Sequence, residues 1–171
     1  MKLNVRKMVQ CSLFAALIAV CAWICVPVPP VAVTLQTFGV LMALGILGGK
    51  WGTASILLYL TLGLAGLPVF AGFRGGISAL LDASGGFLWG FLAGGLVYRM
   101  TERLGRILAM VLCQFACYLC GCLWFWYWAG DSGIVAAVLT CVVPYLLPDG
   151  AKLWLAWRLS RRIGGQLNRN E

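Results

Sequence analysis

The sequence predicts an all-α integral membrane protein, a bundle of six transmembrane helices with both termini in the cytoplasm. Of its 171 residues 62% are hydrophobic and only 11% are charged, too few to cover the exterior of a soluble domain. Apolar runs recur along the whole chain without the alternating ten-residue pattern of barrel strands, so helices are the expected spanning elements. No polar linker divides the chain, which predicts one domain over residues 1–171.

The first half of the chain contains three predicted spans. Residues 8–26 would measure about 28 Å as a helix, close to the roughly 30 Å of bilayer hydrocarbon. Three prolines follow within residues 27–30 and favour an extended loop on the outer side. The spans 37–47 and 51–67 are separated by Gly-Gly-Lys, where glycine suits a tight turn.

The second half contains three more predicted spans. A glycine-rich outer connection leads to spans at 85–98 and 107–128. Residues 134–143 are predicted to form a short helix or loop at the membrane edge. The sixth span covers residues 148–159, with Pro148 in its first turn, where a missing backbone N–H costs nothing.

The distribution of basic residues predicts the orientation. With six spans Arg74 is the single basic residue of the outer loops. The predicted cytoplasmic side collects the following basic residues: Lys2, Arg6, Lys7, Lys50, Arg99, Arg103, Arg106, Arg158, Arg161, Arg162 and Arg169. This asymmetry indicates cytoplasmic termini. It also accounts for the net charge of +8 without a nucleic-acid partner, and none is predicted.

The composition argues against metal and catalytic sites. The chain has no histidine, which removes the commonest metal ligand and general base. Eight cysteines are present, but no CxxC motif is paired with a second one. Most of them lie within apolar spans, so they are interpreted as small packing residues and no metal site is predicted.

Two opposite charges, Asp149 and Lys152, lie inside the sixth apolar span. If Arg161 marks the cytoplasmic boundary, Lys152 is about 14 Å further in, near the middle of the bilayer. Their i, i+3 spacing puts both on one helical face, which should face the bundle interior rather than lipid. One interpretation is a self-neutralising ion pair. The favoured interpretation is a ligand site, with Lys152 for an anion and Asp149 for hydrogen-bond donors, because intramembrane charges are usually functional.

The predicted outer connections carry further candidate polar and glycine positions. Thr34, Gln36 and Thr37 follow the proline-rich loop. Glycines flank the connection before the fourth span, where they either make turns or let the backbone approach a small molecule: Gly72, Gly75, Gly76, Gly85 and Gly86. These polar groups are expected to converge on the outer half of the bundle, where an extracellular solute would bind.

Four segments in succession carry a resemblance to a known family: PVPPVAVTLQTFGVL, LLYLTLGLAGLPVFAGFRGGISALLDASGGFLWGF, CYLCGCLWF and PYLLPDGAKLWLA. Together they span residues 27–156, and their combination resembles BioY, the biotin-binding S-component of energy-coupling factor transporters. The resemblance implies a six-helix protein of a prokaryotic cytoplasmic membrane that binds extracellular biotin without any cofactor. It also implies partners: a transmembrane coupling subunit and two cytoplasmic ATPases, which would hydrolyse the ATP.

The resemblance implies substrate-binding residues position by position: Asp149, Lys152, Thr34, Gln36, Gly75, Gly76, Tyr118 and Phe87. Asp149 suits the ureido N–H groups of biotin and Lys152 its carboxylate, and the reverse or a water-mediated assignment stays open. Thr34 and Gln36 match a Thr-x-Gln in a loop similar to a lid. Phe87, together with Phe70 and Trp89, is a candidate to pack on the sulfur-containing ring, although ordinary core packing is the alternative.

Two further features bear on the site and on partners. Asp82 begins an Asp-Ala-Ser where the family commonly has Gly-Pro-Thr, and it is expected to face water or to pair with Arg74. In the first span Ser12 and Ala16, and Ala15 and Ala19, form overlapping small-xxx-small patterns. By the resemblance Ala15 and Ala19 would dock the coupling subunit, and the alternative is that they pack against neighbouring helices of the same bundle.

Two other functions are weighed against biotin capture. One is an S-component for another vitamin, such as thiamin or riboflavin. The other is a small intramembrane enzyme that would use Asp149 as an acid or base. The enzyme would need a second catalytic group, and the sequence contains no conspicuous nucleophile motif to supply it.

Overall fold

The computed structural model describes residues 5–26, 32–130 and 133–167. Its elements follow in chain order: α1 (Val5–Trp23), β1 (Cys25–Val26), β2 (Val33–Thr34), α2 (Gln36–Leu64), a 3₁₀ turn (Ala71–Phe73), α3 (Ile77–Leu81), α4 (Gly85–Thr101), a second 3₁₀ turn (Glu102–Leu104), α5 (Arg106–Ala129), α6 (Ile134–Cys141) and α7 (Val143–Leu167). The prediction of a helical membrane protein is confirmed, with one short pair of β-strands added.

Helix α2 is broken at Gly48, where the backbone has φ 78° and ψ 171°. A positive φ of this kind is accessible to glycine at little cost, which explains the residue at this position. A Cβ on Gly52 would lie 2.7 Å from the Cα of Leu44, whereas eight residues of straight helix span about 12 Å. The two limbs, residues 36–47 and 49–64, therefore fold back on each other, as the predicted tight turn requires.

A residue of the second 3₁₀ turn, Glu102, stabilises the turn within α2. Glu102 Oε2 accepts a hydrogen bond of 2.6 Å from the backbone N–H of Gly49, at the start of the second limb. A carboxylate at a helix N-terminus satisfies a backbone donor and opposes the positive end of the helix dipole. This contact fixes the turn against the end of α4.

Three helices of the described residues are long and apolar enough to span a bilayer: α1, α2 and α5. The pair α6 and α7 passes the same test as one broken span, bent by 43°. In the sequence, the predicted spans overlap with α1, the two limbs of α2, α4, α5 and the middle of α7.

The predicted start of the sixth helix was wrong. Helix α7 begins at Val143, so Pro148 lies inside it rather than in its first turn. Pro144 occupies the first turn instead, where its missing N–H is not needed. Pro148 removes a single bond to the carbonyl of Pro144, a loss that helices packed within a bundle tolerate. The short helix expected at residues 134–143 is present as α6.

The connection after α1 forms a small β-hairpin. Strands β1 and β2 pair antiparallel, with Cys25 opposite Thr34, and the N–H of Leu35 donates to the carbonyl of Ile24 at 3.0 Å. The prolines predicted to make an extended loop, at positions 27, 29 and 30, lie outside the described residues. The hairpin leads directly into α2 and covers one end of the bundle.

Ala15 and Ala19 belong to the hydrophobic core, with relative exposures of 1% and 7%. They pack together with residues of α2 such as Val40 and Leu41. Ser12 and Ala16 lie on the exposed face of α1 instead. Both side chains are thus covered within the fold, which matches the alternative that they pack against neighbouring helices of the same bundle.

Candidate functional site

A cavity of about 310 Å³ lies at the predicted outer end of the bundle, between the β-hairpin, the loop before α4, and helices α4, α5 and α7. This volume is at the lower end of the range for small-molecule sites, about 300–1,000 Å³. The residues that line it are Ala32, Thr34, Gln36, Thr37, Phe70, Ala71, Arg74, Ala79, Asp82, Ser84, Phe87, Leu88, Phe91, Gln114, Cys117, Tyr118, Tyr145, Asp149 and Lys152.

Asp149 is 5% exposed and accepts three side-chain hydrogen bonds within the cavity wall. Its Oδ1 accepts from Lys152 Nζ at 2.7 Å. Its Oδ2 accepts from the Tyr118 hydroxyl at 2.7 Å and from Gln114 Nε2 at 3.2 Å. The prediction that this face of the helix is turned toward the bundle interior is confirmed. The contacts also join α7 to two successive turns of α5.

Lys152 links the sixth predicted span to the hairpin. Its ammonium donates to the backbone carbonyl of Thr34 at 2.7 Å as well as to Asp149, and its side chain is 11% exposed. An ammonium has three N–H groups, so one donor remains beyond these two contacts. The Lys152 ammonium therefore lies between the hairpin backbone and the Asp149 carboxylate.

Gln36 lies at the start of α2 and is buried. Its backbone N–H donates to Thr34 Oγ1 at 3.3 Å, and its Nε2 donates to the Tyr59 hydroxyl at 2.8 Å. Tyr59 in turn donates to the carbonyl of Val69 at 3.2 Å. The Thr-x-Gln pair therefore lies in the cavity wall and also connects the hairpin with the loop that follows α2.

Aromatic and aliphatic side chains form the apolar wall. Phe87 lies over Gly121, whose absent Cβ would be 2.4 Å from the ring. Glycine three residues after Tyr118 is thus required for this ring position. Phe70 lines the cavity from the opposite loop and packs edge-on against Tyr59 at 5.5 Å between ring centroids. Trp89, the third aromatic candidate, is exposed and lies outside the lining.

The mouth of the cavity carries a second ion pair. Arg74 donates through Nη1 to Asp82, and its Nη2 lies 3.4 Å from Ser84 Oγ. Asp82 Oδ1 also accepts from the backbone N–H of Ala83 at 2.7 Å. That N–H, and then the Arg74 guanidinium, hold the pKa of Asp82 below its ordinary value. The expected Arg74–Asp82 pair is present, with about half of the arginine side chain exposed.

Gly75 and Gly76 lie outside the cavity lining and shape the adjacent loop. A Cβ on Gly75 would lie 2.3 Å from the carbonyl oxygen of Leu67. Gly76 has φ 85° and donates its N–H to the carbonyl of Gly63 at 2.7 Å. Both glycines allow the loop to pack tightly against the end of α2, which positions Phe70 and Arg74.

Sequence reasoning missed Gln114 and left the role of Arg74 open. A signal for Gln114 was present, because it is a lone amide in an apolar helix and lies four residues before Tyr118, on the same face. Tyr145 was missed as well, and it lies four residues before Asp149 on α7. The cavity as a whole offers buried acceptors and a cation at its inner end, apolar walls, and a second cation at its mouth.

Comparisons with known proteins show the family of the chain. The family model described as the BioY family matches residues 1–169. The chain is 36% identical to "Biotin transporter BioY" of Thermotoga maritima over 163 residues, covering 92% of this chain and 95% of that protein. It is 38% identical to "Probable biotin transporter BioY" of Pyrococcus horikoshii over 154 residues, covering 90% and 93%.

The fold also matches a solved structure. It resembles the crystal structure of the S-component for biotin from an ECF-type ABC transporter, with a TM-score of 0.86 and 24% identity, over 95% of this chain and 94% of that one. The matched family model and the two long alignments rest on sequence, and this similarity rests on the arrangement of the helices. The chain therefore belongs to the BioY family.

Proposed function

We propose that this chain is the substrate-binding subunit of a biotin uptake system, which captures biotin outside the cell. The observation that carries the proposal is the buried Asp149, held by Tyr118, Gln114 and Lys152 at the inner end of an otherwise apolar-walled cavity. Relatives named biotin transporters, aligned over nine-tenths of their length, support the same substrate.

Biotin matches the chemistry of the cavity. Its ureido group has two N–H donors and a carbonyl, its bicyclic ring is largely apolar, and its valerate ends in a carboxylate. A ureido N–H group suits the carboxylate of Asp149, and the ring suits the wall formed by Phe87 and its neighbours. The valerate carboxylate suits the remaining N–H of Lys152, with Arg74 at the mouth as a second cation along the path into the cavity.

The polar groups of the hairpin and loop would close over the bound vitamin. Thr34 and Gln36 line the cavity from the hairpin side, and Lys152 bonds the Thr34 carbonyl directly. Gly75 and Gly76 contribute by positioning the loop that carries Arg74, without contributing side chains to the cavity. Closure would exclude water and strengthen the charged contacts within.

The chain functions in transport and is not an enzyme. We propose that a transmembrane coupling subunit and two ATPases supply the energy, because the structural relative is the S-component of an ECF-type ABC transporter. We further propose that the chain crosses a prokaryotic cytoplasmic membrane six times and has both termini in the cytoplasm. With six crossings, the basic residues of the termini and loops lie on the side of the termini, except for Arg74.

Equilibrium binding of labelled biotin to the purified chain in detergent tests the proposal. We expect saturable binding by the isolated chain that unlabelled biotin displaces and that thiamin and riboflavin do not. Biotin should also raise the melting temperature of the protein. A melting temperature raised by thiamin or riboflavin, with no response to biotin, would identify a different vitamin and overturn the proposed substrate.

A further inference from the structure

Gln114 contains a buried acceptor that its surroundings do not use. The residue is 8% exposed and lines the cavity one helical turn before Tyr118. Its Oε1 is fully buried and has no hydrogen-bond partner within the described part of the chain. Buried polar atoms in native proteins nearly always have a partner, so this oxygen needs a structural or functional reason.

The orientation of the Gln114 amide follows from its neighbour. Nε2 lies 3.2 Å from Asp149 Oδ2, and an ionised carboxylate can only accept. Rotating the amide by 180° would bring two acceptor oxygens together at that distance. The amide nitrogen therefore faces Asp149, and Oε1 is the end left for another donor.

Asp149 has little capacity left to accept donors from a ligand. A carboxylate has about four acceptor positions, and three are occupied by Lys152, Tyr118 and Gln114. A ureido ring carries two N–H donors, one on each side of its carbonyl group. One of them can bond Asp149, and the other needs a second acceptor at the same end of the cavity.

We propose that Gln114 Oε1 is this second acceptor and that Gln114 determines specificity for cyclic ureas. The inference rests on the proposed biotin function and adds a residue and a selectivity to it. Asp149 and Gln114 together would then receive both N–H groups, and each ring N–H would be recognised by a different side chain. A ring with an oxygen in place of the matching N–H would bring two acceptors face to face.

Two cyclic carbamate analogues of biotin, each with one ring N–H replaced by an oxygen atom, test the proposal. They keep the shape of the ring and remove one donor at a time. Competition against labelled biotin should show the wild-type chain binding each analogue weaker than biotin by on the order of tenfold or more. Binding of either analogue as tightly as biotin by the wild-type chain would overturn the proposal that two acceptors read the two N–H groups.

The Gln114→Met variant shows which ring N–H is bound by Gln114 and which by Asp149. For one analogue, the affinities of this variant for biotin and for the analogue should differ by less than about threefold. The reason is that Gln114 Oε1, the acceptor that faces the ring oxygen of this analogue, has been removed. For the other analogue the preference should persist, because it reports on Asp149. Unchanged preferences for both analogues in the folded variant would overturn the proposal.

Gln10→Met is the matched control. Gln10 is an amide of α1 that does not line the cavity, so all preferences should stay as in the wild type. Failure of the wild-type chain to bind biotin at all would instead overturn the proposed function. Loss of analogue preference in Gln10→Met to the same extent as in Gln114→Met would overturn the specific role of Gln114.

Discussion

Lys152 and Thr34 are 118 residues apart in the sequence, yet Lys152 Nζ lies 2.7 Å from the backbone carbonyl oxygen of Thr34. The same ammonium lies 2.7 Å from Asp149 Oδ1. One side chain thus joins the β-hairpin over the cavity to the buried carboxylate within it. Ligand contacts and hairpin stability are therefore expected to depend on each other.

The first prediction concerns this connection. Lys152→Met removes the donor to Thr34 and should increase amide hydrogen exchange at Val33 and Leu35, which lie on either side of it. Lys50→Met is the control, since the Lys50 ammonium lies over the Trp51 ring and the residue does not line the cavity. Equal exchange at the two amides in wild type and Lys152→Met would contradict the connection.

The second prediction concerns the ion pair. Asp149→Asn and Lys152→Ala should each weaken biotin binding by at least about tenfold, because each leaves a buried, charged partner without its counter-ion. The double variant should lose less than the product of the two effects, since both substitutions remove one shared interaction. Titration with labelled biotin measures the three affinities, and thermal unfolding in detergent checks that each variant is folded.

An affinity loss in the double variant equal to the product of the single losses would mean that Asp149 and Lys152 act independently. That result would contradict their coupling across 2.7 Å. Unchanged affinity in both single variants would remove the pair from the binding site.

The third prediction is a pH dependence at the cavity mouth. The pKa of Asp82 is lowered by the Ala83 N–H and then by Arg74, so its charged form is stabilised in the folded protein. A depressed folded-state pKa contributes stability above the unfolded value of about 3.9, and this contribution is lost as the pH falls through the folded-state value. The melting-temperature difference between wild type and Asp82→Asn should therefore be constant from about pH 7 to 5 and shrink below about pH 4.

Salt provides the control for this pH effect. Both side chains are partly exposed, so their attraction is screened and the difference should be small and should decrease as salt is added. A difference that stays the same between about pH 5 and pH 2 would show that the charge of Asp82 does not stabilise the loop.

The fourth prediction separates core packing from an exposed surface on α1. Ala15→Leu should destabilise the protein by about 1–3 kcal/mol, because Ala15 is 1% exposed and extra volume must displace its neighbours. Ala16→Leu, one residue later on the exposed face, should change stability by less than about 0.5 kcal/mol. Thermal or denaturant unfolding in detergent measures both, and equal stabilities would contradict the buried position of Ala15.

Much of the fold was predictable because it depends on local features. Hydrophobic runs of helical length required spanning helices, since a bilayer leaves backbone groups no other partners. The paired glycines predicted the turn at Gly48, where a positive φ favours glycine. The i, i+3 spacing predicted that Asp149 and Lys152 share one face, because helical geometry alone determines it.

Other features depended on which helix faces meet. Ala15 and Ala19 carry the small-residue pattern of a docking surface, but the packing of α1 against α2 buries them. Pro148 suggested the start of a helix, but the helix begins five residues earlier, at Val143, with Pro144 in its first turn. Neither outcome follows from spacing, because both depend on neighbouring elements.

Local patterns in the sequence were enough to predict a helical membrane protein, its glycine turn, and a charged pair on one face of the sixth predicted span. The contacts of Asp149 with Gln114 and Tyr118 of α5, and of Lys152 with the carbonyl of Thr34, follow only from the packing of the folded chain. The difference arises from the distance along the chain over which each effect acts. Periodicity and backbone preference act over a few residues, whereas a binding cavity is made by side chains that helix packing brings together from distant parts of the chain.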